Sequence, residues 1–348
     1  MQEGHVAVVD WWRKQIARYR DNRQKRRDYA LGVEAVVDRV DPRLRGLAGY
    51  RTRLTPALEK GVASADALVA SLPAPLLVSR DGWAANRRLR AYFANPGQMQ
   101  EVLGGNRMLR DFLTGAAAAN VTEVYAAMSM RMDRRTRFGS ELDGDRLLSD
   151  QRQETISFSD FRIGAVAGDE AAFRKALRRR VLEEVAARAM QRIMGMRTRR
   201  DMMSEEKTRL QWKLKMYEMR EAGVGTLWHD SAAYRRHMEG LRSELGTVST
   251  GLDDLVAQAG DLADFLEIVA LEFEQIDQAV RLESTTLCLT DMNVESSPER
   301  GGKVLELTAL RVGKRRPRIV ELIRFPPHEI SVDPDRALRR AARALGVH

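Results

Sequence analysis

Along residues 241–280 the apolar positions recur in alternating steps of four and three. They are Leu241, Leu245, Val248, Leu252, Leu255, Ala259, Leu262, Leu266, Val269, Phe273, Ile276 and Val280. A period of 3.5 keeps one stripe facing a partner helix over many turns, which is the seam of a coiled coil. A matching stripe runs through Leu182, Ala186, Ala189, Ile193, Met196, Met203, Leu210, Leu214 and Tyr217, interrupted by Arg200 and Lys207. Between the two lies Ala222-Gly223-Val224-Gly225, where paired glycines disfavour continued helix, and Asp230 and Ser231 offer N-caps for a return helix. The pattern predicts a long antiparallel coiled-coil hairpin over residues 169–283.

Charge agrees with the fold-back. The first arm is basic (Arg178, Arg179, Arg180, Arg188, Arg192, Arg199) and the second acidic (Asp253, Asp261, Asp264, Glu272, Glu274). Folding the chain about residue 226 brings Arg192 near Asp261, Arg188 near Asp264, Arg178–Arg180 near Glu272 and Glu274, and Arg199 near Asp253. Each exposed pair contributes only about 0–1 kcal/mol, so the set selects orientation more than it stabilises.

A second apolar series, Val33, Val37, Val40, Leu44, Leu47, Leu54, Leu58, Ala65, Leu68 and Leu72, predicts an N-terminal helical hairpin or bundle over residues 1–72. Asp41-Pro42 and Thr55-Pro56 each set a capping residue before a proline suited to a first helical position. Residues 73–119 carry shorter helical patterns, one capped by Ser79, then a turn at Asn95-Pro96-Gly97 and a further helix weakened by Gly104-Gly105. The period then changes. Val124, Ala126, Met128, Met130 and Met132 alternate with polar residues, which is a strand with one face buried. A second strand is expected over Glu154–Ile163, and Gly164–Gly168 reads as a connector into the hairpin.

After the hairpin, strands are expected over Thr285–Val294, Val304–Val312 and Arg318–Phe325, the last two joined by a basic turn at Gly313–Pro317. Residues 332–348 read as a short C-terminal helix. An antiparallel hairpin returns the chain to its point of departure, so the strands of 120–168 and 284–331 are expected to form one sheet or small sandwich, since neither group is stable alone. The expected fold is α+β: mainly helical, with a smaller β module.

Composition narrows the class of molecule. Charged residues make up 31%, hydrophobic residues 44% and aromatics 6%, the balance of a helix-rich chain with extended packing seams. The excess of arginine over lysine with abundant alanine suggests a GC-rich bacterial genome. No apolar run approaches the roughly 20 residues that span a bilayer, no signal peptide is evident, and the single Cys288 forms no internal disulfide. A cytoplasmic location is expected, with attachment to the inner membrane surface as an option. The net charge of +9 permits nucleic acid, anionic lipid or an acidic protein as partner.

No chemistry declares itself. His5, His229, His237, His328 and His348 lack metal-ligand spacing, and no phosphate loop, dinucleotide fingerprint, calcium loop or nucleophile elbow is present. No catalytic, cofactor or metal residue is assigned, and no small-molecule ligand is indicated. The candidates are surfaces. One is the amphipathic, basic N-terminal segment with Trp11, Trp12, Arg13, Lys14, Arg18, Arg26 and Arg27; another is the Lys314, Arg315, Arg316 turn. The third is the seam itself. The reading is a non-enzymatic structural or adaptor protein that assembles with copies of itself or a protein partner. The alternatives are a basic nucleic-acid-associated protein and a peripheral membrane scaffold.

Overall fold

The computed structural model describes residues 29–118, 120–143, 146–221, 231–259 and 261–330. The fold is α+β and mainly helical. Helix α1 covers 29–40, α2 Tyr50–Ala70, α3 Arg87–Tyr92, α4 Pro96–Gly104 and α5 Arg107–Leu113. The long helix α6 spans Glu170–Glu221; α7 (Ser231–Ala259), α8 (Leu262–Glu274) and the one-turn α9 (Ile276–Ala279) return. The strands are β1 (Leu76–Leu77), β2 (Val124–Asp143), β3 (Arg146–Ala167), β4 (Val280–Leu289), β5 (Lys303–Val312) and β6 (Arg318–Phe325). Residues 332–348 and 1–28, with their expected helices, lie outside the described residues.

The chain divides into two compact units, Val62–Glu183 with Ile276–His348, and the remainder through Gly61 with Glu184–Gln275. The first holds the sheet. Strands from before and after the hairpin join in one six-stranded sheet of order β3-β2-β6-β5-β4, with β1 pairing parallel to β6 and the other pairs antiparallel. Strand period two sorts side chains between its faces. Ala126, Met128 and Met130 of β2, Leu305 and Leu307 of β5, and Ile319, Ile323 and Phe325 of β6 pack with Leu89, Phe93, Met99, Leu103 and Leu109 from α3–α5. Ala127, Ala165, Ala167 and Leu322 face the other way and pack with Phe173 at the start of α6.

Several local expectations change. The connector Gly164–Gly168 is largely strand, because β3 runs to Ala167 and pairs with β2 throughout. Asn95-Pro96-Gly97 begins a helix: the Asn95 side chain accepts the Gln98 amide at 2.8 Å, and Pro96, lacking an N–H, occupies the first turn. Thr55 caps nothing. Helix α2 starts at Tyr50 and contains Pro56, and the Thr55 hydroxyl donates to the Arg51 carbonyl at 2.7 Å. Ser79 accepts from Gly82 in a turn, and Asn86 is the N-cap of α3. Val280 begins β4 instead of ending the coiled-coil seam. Asp160, at φ +50°, marks a register shift in β3 between the pairs Ser129–Arg162 and Arg131–Ser159.

The second unit contains the hairpin. On α6, Ala186, Ala189, Ile193 and Leu210 are buried; on the return, Met238, Leu241, Leu266, Val269 and Phe273 are buried. The return arm is not one helix. It breaks after Ala259 and restarts at a capping box, where the Asp261 carboxylate accepts from Ala263 and Asp264 while Asp264 accepts from the Asp261 amide.

This break alters the charge pairing. Near the turn, Tyr217 meets His237 with ring centroids 4.8 Å apart and the Met203 side chain packs on Gly251, both placing the fold near residue 227. Beyond the break, Arg188 and Arg192 both reach Glu272, at 3.4 and 3.2 Å, instead of Asp264 and Asp261. The pairing register beyond the cap of α8 therefore differs from that near the turn. Arg178 pairs with Asp66, while Glu267 and Glu274 both pair with Arg53 of α2.

Candidate interaction surfaces

Helix α6 has 52 residues, about 78 Å at 1.5 Å per residue. Its inner face is the seam just described. Its outer face is also apolar. Met194, Met202, Trp212, Met216 and Met219 are each more than half exposed, Trp212 at 63%. At about 100° per residue, Met194, Trp212 and Met219 fall within about 20° of one line along the helix, and buried Leu210 lies about 160° away. Such side chains are normally covered, and methionines form adaptable contact surfaces. The single stripe of period 3.5 does not include these residues, and the apolar positions outside it are the sequence signal of a second stripe.

Between residues 201 and 215, charge on the outer face is segregated by position. Asp201 and Glu205 stand on the side toward the start of α6, and Arg209, Lys213 and Lys215 on the side toward the turn, all exposed. Local pairing is modest: Arg209 reaches Glu206 at 2.5 Å and Arg200 reaches Asp201 at 3.4 Å. The Lys215 ammonium lies 5.6 Å from the Trp212 ring centroid.

The expected surfaces fall in different places. Trp11, Trp12, Arg13, Lys14, Arg18, Arg26 and Arg27 lie outside the described residues. Lys314, Arg315 and Arg316 form the exposed β5–β6 turn, with Gly313 at φ +54°. Arg318 does not extend that basic tip, since it is half-buried and donates to the Asp160 carboxylate at 2.8 Å. Of the seam residues, Leu241, Leu266, Val269 and Phe273 are buried, and Leu245, Val248, Leu252, Leu255 and Leu262 are partly covered. The outer face of α6 therefore offers more open apolar surface than the seam.

Asp41 and Glu321 are each buried within a polar cluster. Asp41 is 6% exposed at its side chain and caps the 3₁₀ turn Pro42–Gly46, accepting from Arg43 at 3.0 and 3.1 Å and from Arg197. The Arg43 bonds first, then Arg197, hold its pKa down at about 2. Arg197 also lies over the Phe265 ring, 4.5 Å from its centroid. Beside them is an open cleft of about 450 Å³ lined by Arg43, Arg197, Arg200, Asp261 and Phe265. Its cations already have carboxylate partners in Asp41 and Asp201, and the cap of α8 is filled by Asp261. The cleft is a braced structural corner.

The other cluster is in the sheet unit. Glu321 of β6 sits among the apolar residues of the main core, accepting from the Tyr92 hydroxyl at 2.7 Å and from Arg88 at 3.2 Å. Burial raises its pKa, against the lowering effect of both donors; burial and the nearby carboxylate push the Tyr92 hydroxyl well up. All three side chains satisfy one another, so the cluster anchors α3 to the sheet. Among the described residues no group of histidine, cysteine and carboxylate side chains could hold a metal ion, and no helix is long and apolar enough to cross a membrane. Compared with known proteins, the chain matches no family model, no curated protein and no solved structure, so its surfaces are read from its own residues.

Proposed function

We propose that the chain is a non-enzymatic assembly protein that binds other protein chains through its helical hairpin. The observation that carries this reading is the set of exposed apolar side chains Met194, Met202, Trp212, Met216 and Met219 on the side of α6 away from its buried stripe. Trp212, Met216 and Met219 have the i, i+4, i+7 spacing of anchors that a helix lays into a groove or against another helix. Tryptophan is among the residues that most often dominate binding energy. We set this work in the cytoplasm, where a lone thiol such as Cys288 stays reduced.

A photo-crosslinking amino acid at position 212, in the full chain in cells, tests the reading. Discrete protein adducts are expected from position 212, and none from a control position on the exposed β5–β6 turn. Absence of any adduct at 212 would overturn it.

The exposed Lys314, Arg315 and Arg316 turn supports a second reading, contact with a polyanion such as nucleic acid. Retention that weakens steeply with salt and is lost on neutralising that turn would favour it.

A further inference from the structure

We propose that the outer face of α6 is a homotypic interface, across which two copies of this chain pair antiparallel about a twofold axis level with residue 207. This rests on the assembly reading and names its partner as a second copy. The argument is that the face is complementary to its own reverse.

A twofold axis at that level sets each position opposite the one equally far on the other side of 207. Trp212 then meets Met202, both exposed and apolar. Arg209 meets Glu205, and Asp201 stands opposite Lys213 with Lys215 beside it. Met219 falls one residue from the level of Met194. Each match occurs twice, as an isologous interface requires. Within 201–215 the exposed acids Asp201 and Glu205 lie on one side of 207 and the exposed bases Arg209, Lys213 and Lys215 on the other. Beyond that stretch, Arg197 and Glu218 pair with Asp41 and Arg242. A parallel pair would therefore set like charges together, and the antiparallel pair sets opposite charges together. Charge thus specifies direction, and the methionines and tryptophan supply the apolar contact. From Met194 to Met219 the matched stretch is about 38 Å of helix. An acidic helix of another protein would satisfy the bases and leave Asp201 and Glu205 facing like charge. An anionic membrane would face the same two acids.

The experiment compares the full chain with Glu205→Arg, Arg209→Glu and the double variant by sedimentation velocity. The wild type is expected to form a dimer. Each single reversal should weaken it at least about tenfold, because both copies of the pair become repulsive, while the double variant restores it. Mixing the two single variants should give heterodimers, since each then meets its opposite charge. In parallel, zero-length carbodiimide crosslinking of the wild type should join Lys213 to Asp201. Twelve residues of helix hold these about 18 Å apart in one chain, so that link forms only between copies. This second measurement needs no substitution, and it decides the matter if a variant misfolds.

A monomeric wild type, a dimer indifferent to both reversals, or a dimer lacking the Lys213–Asp201 link would overturn the proposal. Adducts at position 212 to a different protein, without a dimer, would sink the homotypic pairing and leave the assembly reading intact. No adducts of any kind would sink both.

Discussion

Glu321 shows how one residue can be plain in sequence while its partners are not. In Ile319–Phe325 the alternation places Glu321 on the same strand face as Ile319, Ile323 and Phe325, so a carboxylate among core residues is legible from period two. Its donors, Arg88 and Tyr92, stand one turn apart on α3, 233 and 229 residues away, and no local pattern connects them to β6. A folded-state pKa raised above the ordinary 4.5 means that the folded chain holds this proton more tightly than the unfolded one. The charge of Glu321 therefore costs stability as pH rises above that value, and the Tyr92 bond offsets part of the cost. Tyr92→Phe removes the offset. We expect it to lose roughly 1–3 kcal/mol near pH 8, and less near pH 5, where more of the carboxyl is protonated. Denaturant unfolding at both pH values measures the difference, and an equal loss at each would mean that Tyr92 acts by packing alone.

Helices and strands were legible in proportion to how regular their pattern is. Both hairpin arms could be read from a long 3.5-residue repeat, but the break at Asp261 could not, since Leu255, Ala259, Leu262 and Leu266 keep their spacing across it. Strand β3 is the reverse case. Its inward residues step from Ile156 and Phe158 to Phe161 and Ile163, a three-residue step that is the trace of the register shift at Asp160. The far ends of β2 and β3 were missed because residues such as Arg134, Arg135, Arg137 and Phe138 are exposed and follow no burial pattern. Beyond Met130, β2 has no pairing with β6 and its ladder runs with β3 alone. Opposite Arg134–Thr136, the other edge of β3 is still bonded to residues 293–295, through the Ile156 amide to the Asn293 carbonyl and the Glu295 amide to the Glu154 carbonyl. From Arg137 onward the pair is a two-stranded ribbon, which is marginal. Amide hydrogen exchange should therefore run at least about tenfold faster at Arg137 and Phe138 than over Ala126–Met130, although both stretches belong to β2. Uniform protection along β2 would mean that the ribbon is stabilised by something besides its own ladder.

At the scale of the whole molecule, the return of the hairpin explains why strands from both sides of it share one sheet, and that much followed from chain order. Where the compact units divide did not, because two of the three crossings fall inside helices that look uninterrupted in sequence, while the third falls between α8 and α9 at Gln275. The boundary between Gly61 and Val62 lies within α2, and that between Glu183 and Glu184 lies within α6. A loop at such a boundary would let one unit unfold while the other stayed intact. A continuous helix resists this, because melting one side leaves backbone carbonyls and N–H groups of the other without partners at a new, uncapped end. The two units should therefore unfold together, and calorimetry of the wild type should show one transition. Glu184→Pro tests the coupling at its source. Proline at 184 removes the N–H that bonds the carbonyl four residues earlier, and its ring clashes with that carbonyl, at a cost of about 3 kcal/mol or more in a helix interior. If the continuity of α6 couples the units, the variant should show two resolved transitions, with the total enthalpy little reduced. Two transitions already present in the wild type would show that the units are independent despite the shared helices. A single transition in the variant, merely shifted down, would place the coupling elsewhere than in α6.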